Sequence, residues 1–419
     1  MPSTSPAASL LPELLRLIFN YSLPPPSYTH VSIRLPALCS FSLVCRSWGG
    51  PAQQLLWRDV VLPSIDAAQA FLDAARSGER GAELARAVRT LRLGTLEKAR
   101  RLPEHQLVRH DEFGVLELME RCEYAEEIWV AGMRDLKLEE LGVARHLEGA
   151  FFFNCAFDCT ASPEPDPHPP PTFRRLGLIE TSKTLPPYSL DSTRFPQLRV
   201  LALLPDGTPQ RTTSLSKSST VFDIDPSMKS QLFACSIDIF TFSRLLLCGY
   251  GTDASALQLL DCGCPFVSQS VDDPLKWPTS LRFLRFADLG TGLAYISPPS
   301  NAARFVQTRR DAIEHLLWHF QRNSPAVRDL QAITLRATPF DASAECREVE
   351  WELGPLEEEC RKRGIELEVE APEETFEERA FELRFWRFVE KAEGILRRED
   401  ERSHDDVTRR MSVTKLNGS

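Results

Sequence analysis

The chain has 419 residues, of which 42% are apolar and 9% aromatic, and a formal net charge of −10. This composition excludes a chain that is disordered throughout, and the length allows two or three domains, or one large domain with an appendage. No apolar run approaches the roughly 18 residues that a membrane span needs, and the first residues lack the basic region of a signal peptide. Residues 341–400 hold 20 acidic and 10 basic side chains, which accounts for the net charge, so nothing favours binding to nucleic acid.

Eleven cysteines are scattered along the chain without regular spacing. Several of them lie in apolar contexts: Cys39, Cys45, Cys155 and Cys248. This usage is typical of reduced, buried thiols, so we expect an intracellular protein, cytoplasmic and/or nuclear.

Apolar residues at helical spacing dominate the first sixty positions. Pro12 suits the first turn of a helix. The stripe that accompanies it consists of Leu11, Leu14, Leu15, Ile18 and Phe19. A second set consists of Leu38, Phe41, Val44, Cys45 and Trp48, and a third apolar cluster of Leu55, Leu56 and Trp57. Three helices this short cannot bury so many large side chains among themselves, so part of the surface must face something else.

These stretches resemble a known family. Leu11 to Phe19, then Ser-Leu-Val-Cys-Arg-Ser-Trp ending at Trp48, then Leu-Leu-Trp-Arg-x-Val ending at Val60, look like an F-box over residues 9–62. The F-box is the three-helix module by which substrate receptors dock on the Skp-type adaptor of cullin–RING ubiquitin ligases. The gap between Phe19 and Val44 is longer than in a compact F-box and carries several prolines, which predicts an extended connection between the first two helices.

The resemblance implies which side chains grip the adaptor. They are Leu11, Pro12, Leu15, Ile18, Phe19, Leu43, Val44, Cys45 and Trp48. The alternative is a helical cap that merely covers the end of the next domain.

Beyond the F-box-like part, Ser64 is a suitable N-cap for a helix over Asp66–Arg76 that ends at Gly78. From there the pattern L-x-x-L-x-L recurs with substitutions. Its instances are Val88-Leu91-Leu93, Ala125-Ile128-Val130, Leu147-Ala150-Phe152, Phe173-Leu176-Leu178, Leu198-Leu201-Leu203, Phe242-Leu245-Leu247, Leu281-Leu284-Phe286 and Leu330-Ile333-Leu335. Their final positions alternate as in a strand, and helices are expected between them at Val115–Cys122, Ser255–Leu260 and Asp311–Phe320.

The instances start roughly 22 to 26 residues apart, or roughly 37 to 49 apart, so the longer gaps hold insertions or a poorly matching repeat. This spacing resembles a leucine-rich-repeat array, which implies one short strand per unit on a shared, curved parallel sheet. The alternative is a generic α/β domain with alternating elements.

The end of the chain reads as the last unit of such an array. A helix from Leu356 stops at Gly364, an alternating edge strand follows over residues 365–370, and an amphipathic helix over 373–397 is expected to cover the open end. The predicted fold class is thus α/β. The predicted domains are an F-box-like domain (9–62), a connecting helix (63–82), a leucine-rich-repeat-like domain (83–371), a C-terminal capping helix (372–398) and a disordered tail (399–419).

Three short motifs are candidate chemical sites. Gly249-Tyr250-Gly251 between a strand and a helix is a weak dinucleotide-binding signal that a repeat turn explains equally well. His315 and His319 lie one helical turn apart without the glutamate of a zinc protease, and Cys262-Gly263-Cys264 lacks a second cysteine pair. We therefore expect no enzyme activity, no metal and no cofactor.

What remains is a binding surface. In each repeat strand the positions that flank the central apolar residue point away from the core. These positions hold Arg92, Trp129, Phe151, Phe153, Arg175, Arg244, Phe283 and Arg285. Aromatic residues and arginines dominate interface energetics, and several arginines on one face favour an acidic or phosphorylated target protein.

By resemblance, the expected function is substrate recruitment to a cullin–RING ligase, with the Skp-type adaptor, the cullin scaffold and a target protein as partners. The alternative is a non-catalytic scaffold that uses the F-box-like helices to bind protein without ubiquitin transfer. Neither reading involves a membrane or nucleic acid.

Overall fold

The computed structural model describes residues 10–158, 169–181, 188–205, 222–237, 256–263, 278–287, 302–336, 352–371 and 375–416. Its helices are α1 (Pro12–Ser22), α2 (Val31–Val44), α3 (Arg46–Arg58), α4 (Ile65–Arg76), α5 (Gly78–Arg86), α6 (Leu96–Arg101), α7 (His110–Phe113), α8 (Val115–Arg121), α9 (Ala302–Gln321), α10 (Pro325–Arg328), α11 (Gly354–Arg363), α12 (Phe376–Ala380) and α13 (Leu383–Leu416). Short 3-10 helices lie at Glu104–Gln106, Glu139–Val143 and Pro226–Ser230.

The strands are β1 (Asp59–Leu62), β2 (Thr90–Leu93), β3 (Val108–Arg109), β4 (Glu127–Ala131), β5 (Met133–Arg134), β6 (Gly149–Phe153), β7 (Arg175–Thr181), β8 (Tyr188–Leu190), β9 (Val200–Pro205), β10 (Phe222–Ile224), β11 (Ala234–Ile237), β12 (Leu259–Gly263), β13 (Phe283–Ala287), β14 (Ala332–Leu335) and β15 (Glu366–Val369). The fold is mixed α/β, as predicted, and is built around a large parallel sheet.

The N-terminal three-helix unit (α1 to α3) has a small core of its own. Leu15, Phe19, Leu38 and Leu55 are buried there, and the Phe19 ring stacks on Phe41 at 4.6 Å between centroids. α1 begins at Pro12, as expected. The second helix differs from the prediction, because the backbone is extended at Cys45 and the chain restarts there as α3, which carries Trp48. The predicted extended connection is shorter than expected, since α2 already begins at Val31.

The main sheet keeps its strands in the order of the chain. Eleven parallel strands of the described ranges pair as β1-β2-β4-β6-β7-β9-β11-β12-β13-β14-β15. Paired positions form one continuous buried row: Leu91, Ile128, Ala150, Leu176, Leu201, Cys235, Leu260, Leu284 and Ile333. A strand whose neighbours repeat the same apolar residue has its register fixed, because a slip by one residue would turn that residue to the other face.

The repeated motif locates these strands well. Seven of its eight instances coincide with strands, and the eighth, Phe242-Leu245-Leu247, lies outside the described residues. Two of the four long gaps hold a further strand of the sheet: Leu232 precedes β11 at the motif spacing from Cys235 and Ile237, and Leu257 precedes β12 at the same spacing from Leu260 and Cys262. The helix predicted over Ser255–Leu260 is wrong, because Leu259 and Leu260 belong to β12.

Cysteine acts here as a small apolar core residue. Cys122, Cys155, Cys235 and Cys360 are free and buried, and burial raises the pKa of the Cys155 thiol to about 12. The expectation of burial is wrong for Cys39, which is exposed on α2, and Cys45 is half-buried. Cys248 lies outside the described residues.

The predicted elements around the sheet are confirmed. Ser64 caps α4 by accepting a hydrogen bond from the Ala67 N–H, and α8 and α9 cover the helices expected at 115–122 and 311–320. α11 stops at Gly364, whose φ is +70°, and β15 is the last strand of the sheet. None of the helices in the described ranges has a stretch long and apolar enough to cross a membrane.

The C-terminal segment departs from the prediction. α13 continues to Leu416, where a disordered tail was expected from residue 399. The ends of chains are often unordered, but residues 395–416 contain no glycine or proline and hold five arginines, a residue type that favours helix. α12 and α13 also reach beyond the end of the array, where Lys391 of α13 pairs with Glu366 and Glu368 of β15. They pack across the face of the main sheet that carries Trp129, Phe151 and Phe283, called here the inner face.

The inner face is concave. Phe381 packs edge-on against Trp129 of β4 at 4.9 Å between ring centroids, while the adjacent Glu382 lies 3.7 Å from Arg285 of β13. These strands are six steps apart in the sheet, about 29 Å if it were flat. Two neighbouring residues of one segment reach both strands because the sheet curves around that segment.

The turn after β2 provides a test of this close packing. Gly94 has a φ of +81°, and a Cβ there would lie 2.2 Å from the Ala131 carbonyl oxygen. We expect Gly94→Ala to lower the free energy of unfolding by about 2 kcal/mol or more, because the backbone must move. Gly50→Ala is the control, since nothing lies within 4 Å of a Cβ at this helical position. Urea denaturation of both variants checks this, and an unchanged midpoint for Gly94→Ala would contradict it.

Candidate functional site

The three-helix unit leaves large apolar side chains in water. Among the residues predicted to contact the adaptor, Leu11, Ile18, Leu43 and Val44 are 63%, 47%, 85% and 59% exposed. We call these four side chains the apolar surface. Pro12 is exposed beside Leu11, and Cys45 and Trp48 are half-buried. None of the four belongs to a hydrophobic core cluster of the described residues.

Two of the predicted adaptor contacts are wrong. Leu15 and Phe19 have essentially no exposed surface, because they form the core of the three-helix unit together with Leu38 and Leu55. They share a helix with the exposed Leu11 and Ile18, and the sequence pattern does not separate the two adjoining stripes. Their role is to hold the helices together.

The residues predicted to bind a target do share the inner face. Arg92, Trp129 and Phe151 pair along neighbouring strands, and Phe153, Arg175, Phe283 and Arg285 occupy positions of the same alternation. Arg244 lies outside the described residues. The prediction that these side chains leave the main core and gather on one face is therefore confirmed for the seven described residues.

That face is not open, however, because the chain's own C-terminal helices fill it. Trp386 packs edge-on against Phe151 at 4.8 Å between ring centroids, and Phe376 packs against Phe153 at 5.6 Å. A Cβ at Gly177 would lie 3.2 Å from the Trp386 ring, so the helix approaches the strands as closely as a glycine permits. As the structure stands, a target cannot reach these aromatic side chains.

The far side of the concavity holds a buried ion network around Arg285. Its guanidinium donates to Asp261 of β12 at 2.6 Å and to Glu370, just beyond β15, at 2.7 and 3.0 Å. Glu382 adds a third carboxylate at 3.7 Å and accepts a hydrogen bond from Arg336. Burial alone would lower the pKa of Arg285, but Asp261 and Glu370 raise it well above its ordinary value, so the charge persists.

The other two arginines of the face differ in their pairing. Arg175 lies 3.5 and 3.6 Å from Glu390 and Glu393 of α13. Arg92 is 92% buried and stacks over the Trp129 ring at 5.6 Å, but its Nε and Nη1 have no hydrogen-bond partner within the described residues.

A clamp from the N-terminal unit closes one end of the concavity. The Tyr28 hydroxyl lies 2.9 and 2.8 Å from the Leu93 and Trp129 carbonyl oxygens. The backbone N–H groups of Tyr28 and Thr29 donate to the Glu377 carboxylate at 3.0 and 2.9 Å, and the Tyr28 ring stacks on Phe381. The connection between α1 and α2 thus ties the three-helix unit to the sheet and to α12.

Sequence reasoning missed Tyr28, Asp261, Glu370, Glu377 and Glu382. The only available signal was indirect: Tyr28 lies in the proline-containing stretch that lengthens the connection after Phe19, and Glu370 ends the acidic strand.

Of the three motifs that were candidate chemical sites, only the histidine pair lies wholly within the described residues. The Nε2 atoms of His315 and His319 lie 3.2 Å apart, the distance of a hydrogen bond between neutral rings, and burial lowers the pKa of both to about 4. No group of three metal-ligating side chains is found in the part of the chain that the structure describes. Gly249–Gly251 and Cys264 lie outside the described residues.

Comparison with models of known protein families, with curated proteins and with solved structures finds no match to this chain.

The clamp predicts a specific loss of stability at alkaline pH. Burial raises the pKa of Tyr28 well above its ordinary value near 10, and a phenolate would also face two carbonyl oxygens. In the unfolded chain this group ionises near pH 10, so its contribution to stability is full below that pH and is lost as the pH rises above it. Between pH 9 and 11, thermal denaturation of Tyr28→Phe should show a smaller decline than the wild type. Tyr21→Phe is the control, because that side chain is exposed; equal declines in all three would refute the clamp.

The ion network predicts a large effect of one substitution. Arg285→Met leaves Asp261 and Glu370 buried without their main counter-charge, so we expect a loss of about 3–5 kcal/mol in the free energy of unfolding. Arg310→Met is the matched control, because Arg310 pairs with Glu352 on the exposed surface and little change is expected. Guanidinium denaturation of the two variants measures the difference, and similar midpoints would contradict a buried, ionised network.

Proposed function

We propose that this protein is the substrate-recognition subunit of a cullin–RING ubiquitin ligase of the Skp–cullin–F-box type. The three-helix unit acts as the F-box and docks on the Skp-type adaptor. The curved array of strands acts as a leucine-rich-repeat-like solenoid and holds the target protein.

The observation that carries the proposal is the apolar surface of the three-helix unit. Leu11, Ile18, Leu43 and Val44 are exposed, as are Leu14, Leu17, Ile33 and Leu35, although the unit already has a core of its own. Covering such side chains removes apolar surface from water, at about 25 cal/mol per Å². They belong to the stretches that resemble the adaptor-binding module, which makes the Skp-type adaptor the partner that we propose.

The arrangement of the sheet supports the solenoid part of the proposal. Strands follow one another in chain order, each pairs only with its neighbours, and the same apolar position recurs in every one. Stacked units of this kind bury a shared core that no single unit could form. The L-x-x-L-x-L pattern of the strands resembles that of leucine-rich repeats.

In this role the protein positions the target and does not itself catalyse bond formation. Binding target and adaptor together raises the effective concentration of target lysines near the ubiquitin-charged enzyme of the ligase. The clamp at Tyr28 and Glu377 would keep the angle between the adaptor-binding unit and the solenoid fixed. A rigid connection of this kind favours transfer to lysines at a defined distance.

Adaptor capture tests the proposal. We expect Leu11→Asp combined with Leu43→Asp to reduce the amount of Skp-type adaptor that co-purifies with the full chain by at least about tenfold, because two carboxylates would be buried at the interface. Both side chains lie outside the core of the three-helix unit, so folding should be unaffected. Substitution of Leu15 would instead unfold this unit and test nothing.

The matched control is Ile65→Asp. Ile65 is also exposed, at 40%, but it lies in the first turn of α4, where a carboxylate is tolerated. This variant should capture adaptor as well as the wild type does. Undiminished capture by the double variant would refute the docking surface. If adaptor binds but the reconstituted ligase transfers no ubiquitin to any co-purifying protein, the scaffold alternative is correct.

A further inference from the structure

The concavity of the sheet has the features of a groove that binds a helix. Its walls are largely aromatic and apolar, with Trp129 and Phe151 on one side and Phe283, next to the charged Arg285, on the other. α12 and α13 lie in it as helices, and the backbone hydrogen bonds of the described residues join neither helix to a strand of the sheet. A helix that is held only by side-chain contacts can leave the groove without breaking the hydrogen bonds between the strands of the sheet.

The segment in the groove, residues 375–399, is amphipathic. Its buried side chains recur at helical spacing: Phe381, Phe385, Phe388, Val389 and Ala392. Trp386 adds an anchor over Gly177. Anchors spaced by three and four residues are typical of helices that bind in apolar grooves of other proteins.

Charge complementarity surrounds this apolar stripe. Glu390 and Glu393 face Arg175, and Glu382 faces Arg285 and Arg336. Further along, Glu399 accepts hydrogen bonds from Arg282 and Gln331 at the ends of two strands. The groove is therefore basic at these points, whereas at the last strand Glu366 and Glu368 face Lys391 of the segment.

Among the described residues, one arginine of the groove has no acidic partner. Arg92 is 92% buried, and two of its guanidinium nitrogens have no hydrogen-bond partner among the described residues. Glu377 of the segment, which lies at that end, is bound by the backbone N–H groups of Tyr28 and Thr29. A buried guanidinium without a partner is costly, so an occupant with one more carboxylate at this end would bind better than the segment does.

We propose that the inner face is a binding groove for an acidic amphipathic helix with aromatic anchors, and that residues 375–399 occupy it as an internal ligand until a target helix displaces them. The word target here rests on the proposed function. The groove itself does not rest on the proposed function, because residues 375–399 of the same chain fill it. The target helix carries Phe or Trp at the spacing of Phe381, Phe385 and Phe388, carboxylates toward Arg175 and Arg285, and one further carboxylate toward Arg92.

A peptide of residues 375–399, labelled with a fluorophore, is the probe. The internal segment competes at the high effective concentration of a tethered ligand, so the wild-type full chain should bind the peptide weakly. Phe385→Ala with Trp386→Ala in the full chain weakens the internal competitor and leaves the groove intact. Fluorescence anisotropy should then show at least about tenfold tighter binding of the native peptide.

A charge exchange distinguishes peptide binding in the groove from nonspecific apolar binding. Arg175 is partly exposed at the rim of the groove, and Arg175→Glu in the same background should reduce binding of the native peptide about fivefold or more. A peptide with Glu390→Lys and Glu393→Lys should bind this variant better than it binds the chain that retains Arg175. Absence of peptide binding to the folded double variant, or failure of the exchange to restore binding, overturns the proposal.

Hydrogen exchange on the wild-type full chain covers the case in which the double variant does not fold. If the segment leaves the groove while the sheet stays folded, amides of residues 383–399 exchange faster than those of β4 and β6. If the amides of the segment and those of the two strands exchange only through global unfolding, the proposal is overturned. Adaptor capture through Leu11 and Leu43 is a separate measurement on a separate surface, so failure of either proposal leaves the other result unaffected.

Discussion

The cover of the inner face and the placement of the N-terminal unit both depend on the packing of one helical segment into the curve of one sheet. Trp386 and Phe381 fill the space between strands β4 to β7 and strands β12 to β15, which a flat sheet would hold far apart. Without them the aromatic inner face would be in water. The segment also carries Glu377, which receives the N–H groups of the α1–α2 connection, so the same packing holds the N-terminal unit in place.

Apolar burial and ion pairing contribute differently to this packing. The aromatic contacts supply the free energy, because each buried side chain removes a large area from water. The network around Arg285 determines the position of the helical segment along the groove. A buried ion pair contributes little net stability over an apolar substitute but is costly to mismatch. Asp261, Glu370 and Glu382 thus fix where along the groove the segment lies, and Glu382 accepts a left-handed φ of +51° to make its contacts.

The sequence was informative wherever a local period decided the structure. The L-x-x-L-x-L spacing located most strands of the main sheet, and the glycine at 364 ended its helix, because both depend on near neighbours. It was uninformative about what covers each face. Leu15 and Leu11 belong to the same apolar stripe in the sequence, but Leu15 is buried in the core and Leu11 is exposed. The inner-face residues were placed correctly, but their occupant joins positions more than two hundred residues apart, for which no local pattern exists.

The account makes the N-terminal apolar surface the point of attachment to a second protein, and its contact with that protein can be observed directly. A photoreactive phenylalanine derivative at position 43, with the same group at position 65 as reference, reports which surface the Skp-type adaptor covers. The account predicts an adaptor crosslink from position 43 and none from position 65. Crosslinks of equal yield from both positions, or none from position 43 in the presence of saturating adaptor, would contradict it.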